Sequence, residues 1–290
     1  MAIVGSMRAK LSLALAATLI SAAAGVGAAR AGETRCWVDR GVLVVPAAFG
    51  DVAGDYILDL SSPKSVLHVD DALGEGVETP QTTGTLRFAG ETAPATLQVA
   101  SLDARTLGLP STIVGLIGAD VLAPYVVDIR FSPCRVRLSR RAPAFRAIAT
   151  LPLEMTDGVP AIPATISDGR TALAGRFAVD TGTAAVRLSS KVAALSRTPA
   201  KGVDPASRLD PPARLDALGL AGAAQRRLPA ALADDLPPTL AGSIGTAAWS
   251  RYELRVDMRR GRLQLAAPPG TDVSARRSAR SADSSRRGSR

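Results

Sequence analysis

The sequence predicts an all-β fold made of two pseudo-symmetric β-barrel lobes with a cleft between them. Short apolar runs rich in β-branched residues alternate with Gly, Pro, Asp and Ser along the chain, which is typical of many short strands. One pattern also occurs twice in the same order, which indicates a duplicated lobe. About 240 residues separate the two chain ends described below, enough for two lobes that each have a core.

The near-repeat has matched parts at similar separations. Each copy has a glycine, an apolar run and an aspartate five residues after the glycine, then a Gly-x-Ile-Gly unit and a tyrosine ten residues after that unit begins. The first copy comprises Gly54, Asp59-Leu60-Ser61-Ser62, Gly115-Leu-Ile-Gly118 and Tyr125, and the second comprises Gly175, Asp180-Thr181-Gly182-Thr183, Gly242-Ser-Ile-Gly245 and Tyr252.

Strands follow one another through both halves, with few helical patterns. In lobe one, residues 32–146, the apolar runs predict strands at Val42–Val45, Tyr56–Leu58, Val66–Val69, Ala95–Ala100, Val126–Phe131 and Arg135–Leu138. In lobe two, residues 147–267, they predict strands at Ala161–Ile166, Leu173–Val179, Ala185–Leu188, Tyr252–Met258 and Arg262–Leu265. Short helical turns are predicted at Ala119–Ala123, Ser190–Leu195 and Thr246–Ser250.

Two segments are assigned from weaker patterns. Thr85–Gly90 and the strand after it predict a hairpin that projects over the cleft. The corresponding part of lobe two falls in a Pro/Ala-rich stretch, Pro199–Pro238, which we interpret as a long loop.

The N-terminus has the pattern of a secretory signal peptide. Arg8 and Lys10 precede a Leu/Ala-rich run, and Ala29-Arg30-Ala31 predicts cleavage before Gly32. A retained membrane anchor is the alternative, but glycines interrupt the apolar run and a cleavage pattern follows it. We therefore expect a periplasmic or secreted protein with no stable membrane anchor after cleavage.

The C-terminus, residues 268–290, predicts a disordered basic tail rich in Ser, Arg and Ala. The formal net charge of the whole chain is +9. Without the three positive charges of residues 1–31 and the net four of residues 271–290, the remainder carries about +2. Only 3% of the chain is aromatic, so the composition argues against a nucleic-acid partner.

Cys36 and Cys134 are the two cysteines of the chain. An even pair in an exported protein favours a disulfide, and two free buried thiols are the alternative. A disulfide over a loop of this length stabilises the fold by up to about 4–5 kcal/mol in the chain-entropy model.

The two acidic loops could perform acid–base chemistry if they meet. Gly182 lets one loop approach the other without a Cβ, Thr181 can hydrogen-bond across to the partner loop, and Thr183 can donate to the carboxylate of Asp180. Two carboxylates that share one site hold a single proton between them. The ionised one can then activate a water, while the protonated one polarises a peptide carbonyl.

At this point the chain resembles the retropepsin/pepsin-like aspartic protease family, in particular its two-lobed, exported bacterial members. The Asp180-Thr-Gly-Thr183 loop between two strands carries the resemblance, together with the apolar-apolar-Gly elements at Ile113–Gly115 and Leu240–Gly242 and the short helix and hairpin after each. The resemblance covers about residues 40–266 and implies acid-protease-like lobes, Asp59 and Asp180 as the catalytic pair, a peptide or protein substrate, and no cofactor.

Lobe one departs from the family pattern. Leu60 has no hydroxyl for the contact between the loops, and Ser61 has a Cβ where the family has glycine, although Ser62 can support Asp59 as Thr183 supports Asp180. The family's flap tyrosine is also replaced, because the predicted hairpin offers Phe88. A plain structural interpretation therefore stays open: Asp180 caps its own turn and Asp59 is the remnant of a decayed site.

Other catalytic classes fit the sequence poorly. A single histidine, His68, gives too few ligands for the usual His/Cys metal site, and no Gly-x-Ser-x-Gly elbow or phosphate-binding glycine loop is present. We expect an aspartic-type endopeptidase that acts as a monomer. The alternatives are an inactive relative that binds peptide or an envelope component, and a homodimer in which two Asp180 loops meet.

Overall fold

The computed structural model describes residues 32–195, 213–233 and 235–270. The predicted signal peptide, residues 271–290 of the predicted tail, and residues 196–212 and 234 of the Pro/Ala-rich stretch lie outside the described residues. Within the described part, none of the helices has the length and apolar character needed to span a membrane.

Strands dominate both halves. The strands of the first half are β1 (Gly32–Arg35), β2 (Trp37–Asp39), β3 (Val42–Phe49), β4 (Val52–Leu58), β5 (Val66–His68), β6 (Gln81–Phe88), β7 (Glu91–Ala100), β8 (Ile113–Ile117), β9 (Val126–Phe131) and β10 (Cys134–Ser139). Those of the second half are β11 (Ala149–Pro152), β12 (Glu154–Thr156), β13 (Val159–Ser167), β14 (Ala172–Val179), β15 (Val186–Ser189), β16 (Ala213–Leu220), β17 (Ala223–Ala233), β18 (Gly242–Ile244), β19 (Glu253–Asp257) and β20 (Arg262–Ala266). The helices are short: α1 (Val69–Gly74), α2 (Asp103–Thr106), α3 (Ala119–Leu122), α4 (Ser190–Leu195), α5 (Thr246–Trp249) and a 3₁₀ turn at Met258–Arg260.

The two halves have the same sheet topology. The seven-stranded sheet of lobe one has the order β2-β3-β4-β8-β5-β7-β6, and that of lobe two has the order β12-β13-β14-β18-β15-β17-β16. Extra pairings, β3 with β6 and β13 with β16, close six strands of each sheet into a barrel. Strand makes up 54% of the structure and helix 12%, which confirms the predicted all-β, two-lobed fold.

A third sheet joins the lobes. Its order is β1-β10-β9-β19-β20-β11, and the antiparallel pairing of β9 with β19 is the connection between the halves. The alternation of buried apolar residues along these strands continues the main core from lobe one into lobe two. Cys36 and Cys134 form a disulfide that links the loop after β1 to the start of β10.

The predicted hairpin of lobe one forms, but it does not lie as expected. Its strands are β6 and β7, and Phe88 is buried in the lobe-one core. The turn at Ala89-Gly90 lies directly against Gly32 at the start of β1. Because Phe88 is fully apolar, the residue is drawn into the core, and this part of the hairpin lies at the edge of the joining sheet.

The long loop expected in lobe two was wrong over its second half. Ala213–Leu220 and Ala223–Ala233 form the hairpin β16–β17, in register from Ala213 with Ala230 to Leu220 with Ala223. Leu215, Leu218 and Leu228 point into the core, so the segment buries enough apolar surface to form strands despite its Pro and Ala content. The hairpin is the counterpart of β6–β7 in lobe one.

Candidate active site

The acidic loops occupy equivalent positions in the two barrels. Asp59 follows β4 and Asp180 follows β14, and each of these strands pairs in parallel with the short strand of its lobe, β8 or β18. The backbone N–H of Asp59 donates to Ile117 O at 3.0 Å, and that of Asp180 donates to Ile244 O at 3.0 Å. The near-repeat in the sequence therefore produces the same local anchor in both lobes.

The short helices α3 and α5 fix the far side of each loop. The N–H of Ala119 donates to Ser62 O at 2.8 Å, and the N–H of Thr246 donates to Thr183 O at 2.8 Å. In each lobe the bonded carbonyl belongs to the residue three positions after the aspartate. The Gly-x-Ile-Gly units are thus explained, because each supplies the strand and the helix start that hold one acidic loop.

Asp180 lies in a dense set of hydrogen-bond donors. Its Oδ1 accepts from the N–H of Gly182 at 2.9 Å, and its Oδ2 accepts from the Thr183 hydroxyl at 2.9 Å and the Ser243 hydroxyl at 2.7 Å. The residue is 0% exposed. Fixed donors around a buried carboxyl set its orientation and remove its contact with bulk water.

Asp59 is held differently, and the role predicted for Ser62 was wrong. Asp59 Oδ1 accepts from the N–H of Ser61 at 2.8 Å and from the Ser61 hydroxyl at 2.7 Å. The Ser62 hydroxyl donates instead to Lys64 O at 2.8 Å. Ser61, whose Cβ departs from the family pattern, places a hydroxyl on the carboxylate first, so Ser62 is left to the next turn.

The two loops meet through Thr181. Its hydroxyl donates to Leu58 O at 2.7 Å and accepts from the N–H of Leu60 at 3.1 Å, both across the lobe boundary. Leu60 cannot return an equivalent bond, and its side chain is fully buried in the core. The contact between the loops is therefore made from the lobe-two side, with further support from the N–H of Leu43, which donates to Thr181 O at 2.9 Å.

Gly182 brings the two carboxyls to one place. A Cβ at this position would lie 2.5 Å from Asp59 Oδ2, so the backbone of Gly182 is in direct contact with Asp59. The same residue donates its N–H to Asp180. The two carboxyls thus flank a single glycine at the seam between the lobes.

Arg105 completes the site, and the sequence gave no signal for it. The residue lies on α2, and its Nη2 is 2.5 Å from Asp59 Oδ2. The Arg105 side chain is 33% exposed, whereas that of Asp59 is 0% exposed. The guanidinium therefore lies between the acidic pair and solvent, on the outer oxygen of Asp59.

The electrostatics divide the pair into one ionised and one protonated group. Burial opposes ionisation of Asp59, but the Arg105 charge and the hydrogen bonds from Ser61 and Arg105 outweigh burial, so the pKa of Asp59 lies below its ordinary value of 3.8. Burial and the Asp59 charge raise the pKa of Asp180 above 3.8, against opposing effects of Arg187, Ser243 and Arg105. The Asp59 charge likewise raises the pKa of Arg105, against the effect of burial, so that residue stays a cation.

The chemistry open to this arrangement depends on Arg105. A carboxylate and a carboxylic acid in contact can activate a water and polarise a carbonyl. In the arrangement observed here, neither carboxyl has exposed surface and the ionised one is neutralised by a guanidinium. The acidic pair is formed, and access to it requires Arg105 to move. Within the described residues, no group of three or more His, Cys, Asp or Glu side chains could hold a metal ion.

Sequence reasoning missed three contributors to this site. Arg105 belongs to an ordinary surface-type segment, Asp103–Thr106, in which a lone arginine gives no hint of its partner. Ser243 lies inside the repeated Gly-x-Ile-Gly unit and was a detectable signal, because the first copy has Leu116 at the same place. Ser61 was noticed for its Cβ rather than for its hydroxyl.

The comparisons with known proteins identify the fold. No protein-family model matches the sequence, and no curated protein matches it. The structure is similar to the crystal structure of an aspartic proteinase from Irpex lacteus, with a TM-score of 0.52 and 14% sequence identity over 84% of this chain and 99% of that chain. The likeness establishes the two-lobed aspartic proteinase fold, and the activity has to be argued from the site.

Proposed function

We propose that this chain is an exported aspartic-type endopeptidase whose acidic pair is covered by Arg105 until a substrate binds. The observation that carries the proposal is the contact of both carboxyls with Gly182, in a buried place where their pKa values move in opposite directions. Burial and mutual repulsion leave one proton on the pair, which is the state that water-activating carboxyl pairs require.

The roles of the two groups follow from their surroundings. With Arg105 withdrawn, a water between the carboxyls would give a proton to ionised Asp59 as it attacks the peptide carbonyl. Protonated Asp180 would donate to the carbonyl oxygen, and Thr183 and Ser243 hold it in position for that transfer. Breakdown of the tetrahedral species returns a proton to the leaving amine.

Replacement of Asp180 by Asn tests the proposal. The amide keeps the shape of the carboxyl but cannot transfer a proton, so we expect peptide hydrolysis to fall by at least about a hundredfold. The measurement is digestion of a diverse peptide library by the purified chain, read by mass spectrometry. Asp51→Asn is the matched control, because Asp51 is exposed and remote from both loops, and it should leave turnover unchanged.

The pH profile gives a second measurement on the same protein. Hydrolysis needs Asp59 ionised, so activity should fall as pH drops through its lowered pKa. Hydrolysis also needs Asp180 protonated, so activity should fall as pH rises through its raised pKa. We expect a bell-shaped profile of kcat/KM that includes pH 3.8, the ordinary value that both groups leave in opposite directions. Activity that persists unchanged in Asp180→Asn would overturn the proposal.

A non-catalytic peptide-binding protein is the second candidate. The ion pair between Arg105 and Asp59 favours it, because that pair neutralises the group that would accept the proton from water. Absence of hydrolysis from pH 3 to pH 7, together with peptide binding by the wild-type chain, would establish this alternative.

The homodimer alternative receives no support from the site. Asp180 is completely buried, and Thr181 and Gly182 contact the loop of Asp59 in the same chain. Unchanged turnover after Asp59→Asn would bring the homodimer back. Export to the periplasm or the medium belongs to the proposal on the strength of the leader pattern and the disulfide.

A further inference from the structure

We infer that the peptides accepted by this site carry an acidic side chain close to the scissile bond, and that Arg105 is the residue that binds it. The inference rests on the proposed function, because it names the substrate class of the same acidic pair. It depends on where Arg105 lies, what it must leave behind, and which partner can replace Asp59.

An approaching ligand meets Arg105 before it meets either carboxyl. Arg105 is 33% exposed, while Asp59 and Asp180 are both 0% exposed. The accessible part of the site is therefore a cation that covers an anion, although the chemistry depends on the anion. Contact with Arg105 is the first step for any peptide that reaches the pair.

Release of Asp59 has an electrostatic requirement. The pKa of Arg105 is raised, so Arg105 leaves as a guanidinium and carries its positive charge with it. Breaking an ion pair with a buried member is strongly unfavourable unless the departing charge finds another partner. A carboxylate on the peptide supplies that partner, since guanidinium binds carboxylates in a two-point geometry. A neutral side chain of the same size cannot do so.

The charges around Arg105 favour an anionic ligand. Arg187 lies near enough to lower the pKa of Asp180, and its side chain is 19% exposed. Asp235 adds to the field that holds Arg105 as a cation, but this carboxylate is paired with Arg187. The competing internal carboxylate is thus already engaged. A peptide carboxylate that replaces Asp59 restores a neutral pairing for Arg105 and leaves Asp59 ionised for catalysis.

The test compares two peptides that differ by one atom group. Both are blocked at their ends, so that no terminal carboxylate is present, and they carry Glu or Gln beside the same cleavable bond found in the library digest. For the wild-type chain we expect kcat/KM for the Glu peptide to exceed that for the Gln peptide by at least about tenfold, because one charge-assisted pair is gained. In Arg105→Gln the preference should shrink to about twofold or less, and cleavage of the Gln peptide should rise above the wild-type level.

A control variant separates this effect from general attraction. Arg259→Gln removes one positive charge from an exposed turn remote from the site, and it should keep the full preference for Glu. If the preference survives in Arg105→Gln, or if the wild-type chain cleaves both peptides equally, the inference is overturned. Equal cleavage would indicate that Arg105 moves to an internal carboxylate such as Asp235.

Binding distinguishes failure of this inference from failure of the proposed function. The same two peptides, labelled with a fluorophore, are titrated into Asp180→Asn and into the double variant Asp180→Asn/Arg105→Gln. Tighter binding of the Glu peptide that requires Arg105 supports the inference even if no chain hydrolyses peptide. Equal binding of the two peptides, or no binding of either, overturns it whatever the hydrolysis assay shows.

Discussion

At the scale of single residues, Gly182 decides whether the two acidic loops can meet. An added Cβ would lie 2.5 Å from both Asp59 Oδ2 and Arg105 Nη2, in a buried place where the neighbours are themselves hydrogen-bonded. Gly182→Ala should therefore lower the free energy of unfolding by about 1–3 kcal/mol, the usual cost of overpacking. Urea unfolding followed by tryptophan fluorescence measures the change.

Gly74 provides the matched control for that substitution. A Cβ there has no atom within 4 Å, so Gly74→Ala should leave stability unchanged or raise it slightly, because alanine favours helix. Equal effects of the two substitutions would show that the contact between the loops is not as tight as the structure has it.

Residue patterns located part of the site for physical reasons. Asp59, Asp180 and Gly182 belong to a local repeat, and local strand–turn geometry is set by nearby sequence, so their positions at equivalent strand ends could be anticipated. Arg105 could not, because it reaches Asp59 across 46 residues of chain and only tertiary packing determines that contact. The exchange of roles between Ser61 and Ser62 is a matter of side-chain geometry that spacing alone does not fix.

At the scale of elements, helix α2 positions Arg105 and is itself anchored by His68. His68 lies at the end of β5, and its Nδ1 accepts from the N–H of Leu102, immediately before α2, at 3.2 Å. Leu102 is buried, so the loss of this acceptor leaves its N–H without a partner at a cost of about 1–3 kcal/mol. His68→Leu should therefore destabilise α2 and speed amide exchange from Leu102 to Thr106.

His68→Asn is the informative control, because its side-chain oxygen can occupy nearly the position of Nδ1 and accept the same bond. Hydrogen exchange measured by mass spectrometry on peptides that span α2 should show protection close to wild type for Asn and reduced protection for Leu. If both variants exchange alike, the bond to Leu102 does not hold the helix, and the position of Arg105 depends on other contacts.

Element prediction succeeded where apolar periodicity was clear and failed where composition concealed it. The hairpin β16–β17 is rich in Ala and Pro, whose weak strand preference suggested a loop, yet its leucines face the core and its register matches the lobe-one hairpin. The position of β6–β7 at the joining sheet, rather than over the cleft, depends on packing of Phe88 that no local pattern specifies.

At the scale of the whole molecule, the duplicated barrels depend on the sheet that joins them. The repeat predicted two lobes, but it carried no information on how they connect, because the pairing of β9 with β19 involves strands more than a hundred residues apart. Two ion pairs cross this seam. Arg255 binds Asp128 through two hydrogen bonds of 2.6 and 2.8 Å, and Arg130 binds Glu253 at 2.7 Å.

These two pairs differ in burial, and burial should decide their effect on stability. Arg255 is 3% exposed, also donates to Pro143 O, and lies over the Phe145 ring, whereas Arg130 is 42% exposed. Arg255→Leu leaves Asp128 uncompensated, so we expect the free energy of unfolding to fall by about 3–5 kcal/mol. Arg130→Leu crosses the same strands but removes a solvated pair, so its cost should stay within about 1 kcal/mol.

Calorimetry of the two variants tests the role of the seam as well as the energies. If the joining sheet makes the lobes unfold together, Arg255→Leu should broaden or divide the single transition, since each barrel keeps its own core once the seam is weakened. Arg130→Leu should retain one transition near the wild-type Tm. Equal costs for the two substitutions would mean that the strand pairing itself, rather than the buried arginine, couples the lobes and holds the acidic loops in register.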